Sequence, residues 1–247
     1  MSKRILSQFP DQMNVALIGA SGGIGHALLE HLLNDPQIGH ITAFSRRKIQ
    51  LSHEKLSCAE IDISNETSIA AASQAITGEL HLILIASGLL NVPAHNMPEK
   101  ALRDLNMTAF QESFAINTVG PALIAKYFMP KMARGGRSVF AALSARVGSI
   151  SDNQLGGWYS YRASKAALNM VIKTLSIEVA RTHKNTLVVG LHPGTVDTSL
   201  SAPHSKNIQH EIFTPDQAAG YLLNVINTAP IDQSGGCLDY SGKVIPP

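Results

Sequence analysis

A phenol and an ammonium stand four residues apart in Tyr161-Arg162-Ala163-Ser164-Lys165. On a helix that spacing puts both side chains on one face, one turn apart. A phenol ordinarily ionises near pH ~10. A neighbouring cation favours the phenolate and brings proton exchange closer to neutral pH. Reduction of a carbonyl needs such a group, a proton donor to oxygen while hydride reaches carbon. Tyr127 and Lys131 share the spacing, but Pro130 sits inside that pair and no comparable loop precedes it. Tyr159 has Ala163 at the fourth position and so lacks the cation. Ser144 ends the apolar run SVFAAL, where a hydroxyl could hold a substrate oxygen. Asn117 is a polar residue within the apolar text FAINTVGPAL. It serves either the same site or the backbone groups of a helix kink.

The second constellation is a glycine loop. The apolar run NVALI (14–18) leads directly into Gly19-Ala20-Ser21-Gly22-Gly23-Ile24-Gly25, and HALLEHLL follows with helical spacing. Glycines let the backbone turn sharply and approach a pyrophosphate, whose charge is stabilised at the helix N-terminus. Between a first strand and a helix, such a loop reads as a dinucleotide site rather than a plain turn. NAD sites usually carry an acid about 20 residues further on, for the ribose 2′-hydroxyl. Counted from Gly25, that place is Ser45, followed by Arg46 and Arg47. No carboxylate stands there to repel a 2′-phosphate, and two guanidiniums can attract one. The expected cofactor is NADP(H), with NAD(H) possible.

These residues need a scaffold, and the chain supplies an alternating one. Strands are expected at 14–18, 41–44, near 56–61, and at 82–86, where LILIA is apolar enough to be buried on both faces. Further strands are expected at 138–143, at 186–191 and near 237–240. Helices are expected after the glycine loop, over roughly 65–76, through 98–132, from about Tyr159 to Arg181, and from Thr214 to about Asn227. Pro98 suits a first helical position. Gly120 and Pro121 interrupt the 98–132 stretch and are expected to separate two helices. Thr214, Pro215 and Gln217 form a capping box with proline in the first turn. Residues 1–12 are polar and aperiodic, and are expected to be an extension outside the fold. Alternation of strand and helix predicts a parallel sheet with helices on both faces. The expected architecture is a single doubly wound α/β Rossmann domain, residues 13–247, with a mostly parallel seven-stranded sheet.

The loop spacing, at Gly19, Gly23 and Gly25, resembles that of the short-chain dehydrogenase/reductase family. Asn117, Ser144, Tyr161 and Lys165 match that family's tetrad, and the resemblance runs from about Met13 to the C-terminus. It implies that Tyr161 is the acid/base and that Ser144 orients the carbonyl. It implies that Lys165 holds the nicotinamide ribose and lowers the tyrosine pKa, and that Asn117 holds a proton-relaying water. Ser144 precedes Tyr161 by 17 residues, longer than in many members. The segment SARVGSISDNQLGGWYSYRASKAALNM (144–170) is similar to the C-factor branch, which includes sniffer-type carbonyl reductases and shares that insertion. Resemblance also assigns Asp62 and the adjoining Ile63 to the adenine edge. It assigns Ala86-Ser87-Gly88, where many members carry Asn-Ala-Gly, to a loop under the adenine ribose. It assigns Pro193 to Thr198, through Gly194 and Val196, to the nicotinamide carboxamide. The stretch 98–132 resembles helices through which many members form dimers or tetramers, while some relatives are monomers.

Composition limits the alternatives. The 247 residues are 45% hydrophobic and 15% charged, with a net charge of +2 and no basic stripe of the kind that tracks nucleic acid. The longest apolar stretch is too short to span a bilayer, and the N-terminus lacks the apolar run of a signal peptide. Two cysteines cannot form a disulfide framework and suit a reducing compartment, so the expected location is cytoplasmic. They show no C-x-x-C spacing and are expected to be inert. The ten histidines show no metal-site spacing. The sequence reads as an NADP(H)-dependent oxidoreductase interconverting a carbonyl and an alcohol on a small-molecule substrate. The alternative is a dinucleotide-binding signalling or regulatory protein of C-factor type. An epimerase or dehydratase fits the short chain and the loop spacing less well. The polar segment 195–213 is expected to cover the substrate.

Overall fold

The expected strands are apolar at consecutive positions, and the computed structural model shows where each face goes. It describes residues 4–90, 97–201 and 211–247. The elements are β1 (Met13–Ile18), α1 (Gly23–Asn34), β2 (Ile38–Ser45), β3 (Leu56–Glu60), α2 (Glu66–Ser73) and β4 (Leu82–Ile85). They continue as α3 (Met107–Phe114), α4 (Gly120–Phe128), β5 (Ser138–Leu143), α5 (Tyr159–Val179), β6 (Thr186–His192), α6 (Pro215–Thr228), β7 (Cys237–Asp239) and β8 (Val244–Ile245). Along β1, Val15 and Leu17 face a core shared with Leu28 and Leu32 of α1 and Leu222 of α6. Ala16 and Ile18 face the other core, with Phe128 of α4 and Leu168 of α5. Leu84 and Ile83 of β4 divide in the same way. Both faces are covered, so neither needs polar residues.

The sheet order is β3-β2-β1-β4-β5-β6-β7-β8. All neighbours pair in parallel except β7 with β8, which are antiparallel. The short β8 is the eighth strand, one more than the seven expected. Order reverses between β1 and β4, and the loops leaving β1, β4, β5 and β6 all emerge at the carboxyl edge. That is where open sheets of this kind hold ligands.

Two expectations are corrected. Residues 1–12 do not lie wholly outside the fold. Leu6 and Phe9 are buried within the α1/α6 core. The Ile5 and Leu6 amides donate to Asp35 Oδ2, both at 2.9 Å, and Gln37 Nε2 donates to the Phe9 carbonyl at 2.9 Å. Two apolar residues held by a turn dock on helix ends that are distant in sequence, so no local periodicity announces them. Phe9→Ala is expected to cost about 3–5 kcal/mol, the usual loss for a buried phenylalanine. Urea unfolding measures it, and a cost under about 1 kcal/mol would leave the segment only loosely docked.

The second correction concerns 98–132. Helix begins not at Pro98 but at Met107, capped by Asn106, whose Oδ1 accepts from the Ala109 amide at 2.8 Å. Gly120 and Pro121 do not break the path. Residues Ala115–Val119 form a π-helical turn that runs straight into α4, and Pro121 falls at the junction between the two. Glycine is required at 120, because a Cβ there would stand 2.7 Å from the Ile63 carbonyl oxygen.

Candidate active site

Tyr161 and Lys165 lie in the first turns of α5. The start of this helix is built by its surroundings. Trp158, the N-cap residue, has φ +52° and provides no side-chain cap. It follows Gly156 and Gly157, both also at positive φ. Its amide donates to the Glu99 carbonyl, and the Glu99 carboxylate accepts from the Ser160 amide at 3.4 Å. The Trp158 ring meets the Tyr161 ring edge-on at 6.2 Å.

Lys165 is 3% exposed and donates from Nζ to the Leu143 carbonyl at 2.8 Å. Nζ also sits 5.8 Å from the Tyr161 ring centroid. Burial pushes the Tyr161 phenol up to about 12 and the Lys165 ammonium down to about 8. Desolvation disfavours the charged form of each. The expected lowering of the tyrosine pKa by lysine is therefore outweighed by burial. The rival Tyr127 is engaged elsewhere, donating to Glu66 at 2.8 Å.

Ser144 stands at the carboxyl end of β5, buried, with its hydroxyl donating to Asn169 Oδ1 at 2.6 Å. Asn117 lies in the π turn, fully buried. Its Oδ1 accepts from the Leu89 amide at 2.8 Å, and its Nδ2 donates to the Leu89 carbonyl at 2.7 Å and to Ser164 Oγ at 3.1 Å. The carboxamide thus ties the loop after β4 to the turn of α5 that carries Lys165. A Cβ on Gly88 would lie 3.6 Å from Asn117 Oδ1 and 3.7 Å from Lys165 Nζ, so the three meet at one point.

One cleft of about 670 Å³ connects the tetrad end to the glycine loop. Ser144, Tyr161 and Lys165 line one end, and Ser45, Arg46 and Arg47 the other. Between them lie Gly19, Ser21, Gly23 and Ile24, then Asp62 and Ile63, then Ala86, Ser87 and Gly88, with Pro193 and Thr198 at the β6 end. Gly25, Asn117, Gly194 and Val196 do not line it. Gly25 instead lets α1 pack on the loop, since a Cβ would fall 2.1 Å from the Gly19 carbonyl oxygen. Val196 is buried against Phe213, with which it forms a β-bridge. Gly194, at φ +79°, permits the close approach of that phenylalanine ring. The expected cover over 195–213 falls partly on 202–210, outside the described residues.

Several details were beyond sequence reasoning. Ser45 Oγ is turned onto Arg47, donating to its carbonyl and accepting from its amide at 3.0 Å. Arg47 Nη2 reaches across to the Ser21 carbonyl at 3.1 Å, linking the loop after β2 to the glycine loop. Asp62 does not cap α2, a task that falls to Asn65. Its carboxylate accepts from the hydroxyl and amide of Ser64, which hold its pKa below the usual value, with Arg46 adding to the effect. Cys237 lies beside Ser144, where burial pushes its thiol up to about 11, so it stays neutral. Among the described residues there is no cluster of potential metal ligands, and no helix is long and apolar enough to cross a membrane.

With the geometry in view, comparison with known proteins gives it a lineage. The family model for short chain dehydrogenases matches residues 13–209. The chain belongs to the short-chain dehydrogenase family. As a member it is an oxidoreductase. Among curated relatives, C-signal of Myxococcus xanthus is 30% identical over 177 residues, covering 72% of this chain and 98% of the relative. Among solved structures, the NADPH-bound carbonyl reductase from chicken fatty liver superposes with TM-score 0.82 at 24% identity, covering 96% of this chain and 99% of that one. The carbonyl reductase Sniffer of D. melanogaster gives the same values. At that identity the two structures bear on the fold of this dehydrogenase family member.

Proposed function

We propose that the chain is an NADP(H)-dependent oxidoreductase interconverting an aldehyde or ketone and the corresponding alcohol. The observation that carries this reading is convergence in one cleft. A phenol, an ammonium and a hydroxyl line one end, and two guanidiniums the other. The residues present fit a dinucleotide. Gly19 and Gly23 let the backbone come close at the N-terminus of α1, where pyrophosphate charge is stabilised, and Gly25 lets that helix pack on the loop. Arg46 and Arg47 would hold a 2′-phosphate, and Lys165 the nicotinamide ribose. Asp62 would serve the adenine edge, and Ala86 to Gly88 the adenine ribose. The main chain of Pro193 to Thr198 would receive the carboxamide.

When bound, the dinucleotide supplies the hydride. The chain's own residues supply the rest. Ser144 donates a hydrogen bond to the carbonyl oxygen and fixes its direction. Tyr161, neutral in this environment, gives that oxygen its proton. Lys165 places positive charge beside the phenol, where it stabilises the phenolate left behind. Asn117 keeps the β4 loop and the Lys165 turn in register.

The likeness to C-signal favours a second reading, a dinucleotide-binding signalling protein. NADPH consumption with a panel of aldehydes and ketones separates the two. Turnover with at least one carbonyl is the expected result. Tight NADPH binding with no turnover across the panel would favour the regulator.

A further inference from the structure

Ser144 has one hydroxyl proton. In this structure it is given to Asn169 Oδ1 at 2.6 Å, and Asn169 does not line the cleft. A carbonyl oxygen offers only lone pairs, so a serine committed to Asn169 has no proton left to give it. The group on the other side of that bond therefore decides what Ser144 can do.

The fold makes room for this pair. Asn169 lies one helical turn beyond Lys165 on α5, so one helix carries the phenol, the ammonium and the serine's partner. Gly190 interrupts the otherwise aliphatic run LVVGL of β6 at the same point. A Cβ there would stand 3.5 Å from Asn169 Oδ1, 3.4 Å from Ser144 Cβ and 3.2 Å from Ile172 Cδ1. Among the described residues Ser144 is the hydrogen-bond partner of the Asn169 carboxamide. Among those residues no other hydrogen bond holds the amide in one orientation. Cys237, the other polar neighbour of Ser144, is only a weak donor and acceptor.

An asparagine presents an acceptor on one side and a donor on the other, in nearly the same shape. We propose that Asn169 is the positioning residue for Ser144: with Oδ1 forward it takes the serine proton, and with Nδ2 forward it donates to Ser144 Oγ and frees that proton for the substrate oxygen. The inference rests on the role given to Ser144 above.

Two substitutions separate this role from packing. Asn169→Asp keeps the shape but can only accept, so it holds the serine proton permanently. Asn169→Ala removes the acceptor and leaves the hydroxyl free to turn. At saturating NADPH, kcat/KM for a carbonyl substrate is expected to fall about 10²-fold in the Asp variant, as when one donor to a developing oxyanion is lost. The Ala variant is expected to fall roughly tenfold less far than that. A packing role predicts the reverse order, because the isosteric Asp fills the space and Ala does not. Ser144→Ala/Asn169→Asp should match Ser144→Ala alone. A further loss in the double variant would mean that the new carboxylate acts through Lys165, and would overturn the inference. NADPH affinity, followed through Trp158 fluorescence, should be unchanged in every variant and reports folding. Should Asn169→Asp fail to fold, the Ala variant still decides, since a loss equal to that of Ser144→Ala would overturn the proposal. Wild-type activity in Ser144→Ala would remove the role of Ser144 itself. A crippled Ser144→Ala beside a fully active Asn169→Asp would remove only the role of Asn169.

Discussion

Tyr161→Phe is expected to lower kcat by about 10²- to 10⁴-fold, the contribution typical of a positioned acid or base. The ring stays, along with its edge-on contact to Trp158, so the start of α5 should hold. NADPH affinity should change little, because the lost hydroxyl is assigned to the substrate oxygen. Activity within a few-fold of wild type would remove Tyr161 from the mechanism. The pH profile belongs to the same argument. In the free chain burial holds the phenol at about 12 and the ammonium at about 8, so the phenol remains a proton donor while Lys165 is the group that titrates. Lys165 is charged below its pKa and neutral above it. Measured against NADPH, kcat/KM reports groups of the free enzyme. It is therefore expected to fall as pH rises through about 8. A profile flat across that range would separate Lys165 from cofactor capture.

The placement of three of the four tetrad candidates was legible because it is local. Four residues along a helix place Tyr161 and Lys165, and the end of one apolar run places Ser144. The two cores were legible for a similar reason, since Val15 and Leu17 must face opposite to Ala16 and Ile18 in any strand. What the sequence concealed depends on distant partners. Leu6 and Phe9 look like part of a polar tail until Asp35 and Gln37 are brought to them. Nothing in AINTV distinguishes a π turn from an α turn. The turn becomes intelligible once the Asn117 side chain is seen gripping Leu89 and Ser164. Gly25 belongs to the glycine loop, yet its strictest constraint is the Gly19 carbonyl beneath it. Asn169 carries no motif. The nearest hint was Gly190, a glycine in the middle of a buried strand, which signals close approach of another group.

The wild-type enzyme is expected to prefer NADPH over NADH by roughly 10- to 150-fold in kcat/KM, the equivalent of one charge-assisted hydrogen bond worth about 1.5–3 kcal/mol. The structure gives the two arginines different positions. Arg47 is linked to the Ser21 carbonyl at 3.1 Å, which fixes its guanidinium across the cleft from β2 to the glycine loop. Arg46 is exposed and lies near enough to Asp62 to help hold that carboxylate ionised. Ser45, where an NAD site would place an acid, has its hydroxyl turned onto the Arg47 backbone. Arg46→Ala removes a cation from the phosphate and also leaves the negative Asp62 less compensated. Both effects act against the 2′-phosphate, so KM for NADPH should rise while KM for NADH stays nearly constant. Arg47→Ala should weaken NADPH as well, and should cost NADH more than Arg46→Ala does, because it releases the Ser21 carbonyl in the pyrophosphate loop. The double variant should use the two cofactors about equally. Equal use by the wild-type enzyme would overturn the assignment, and a preference that survives loss of both arginines would place the phosphate site elsewhere.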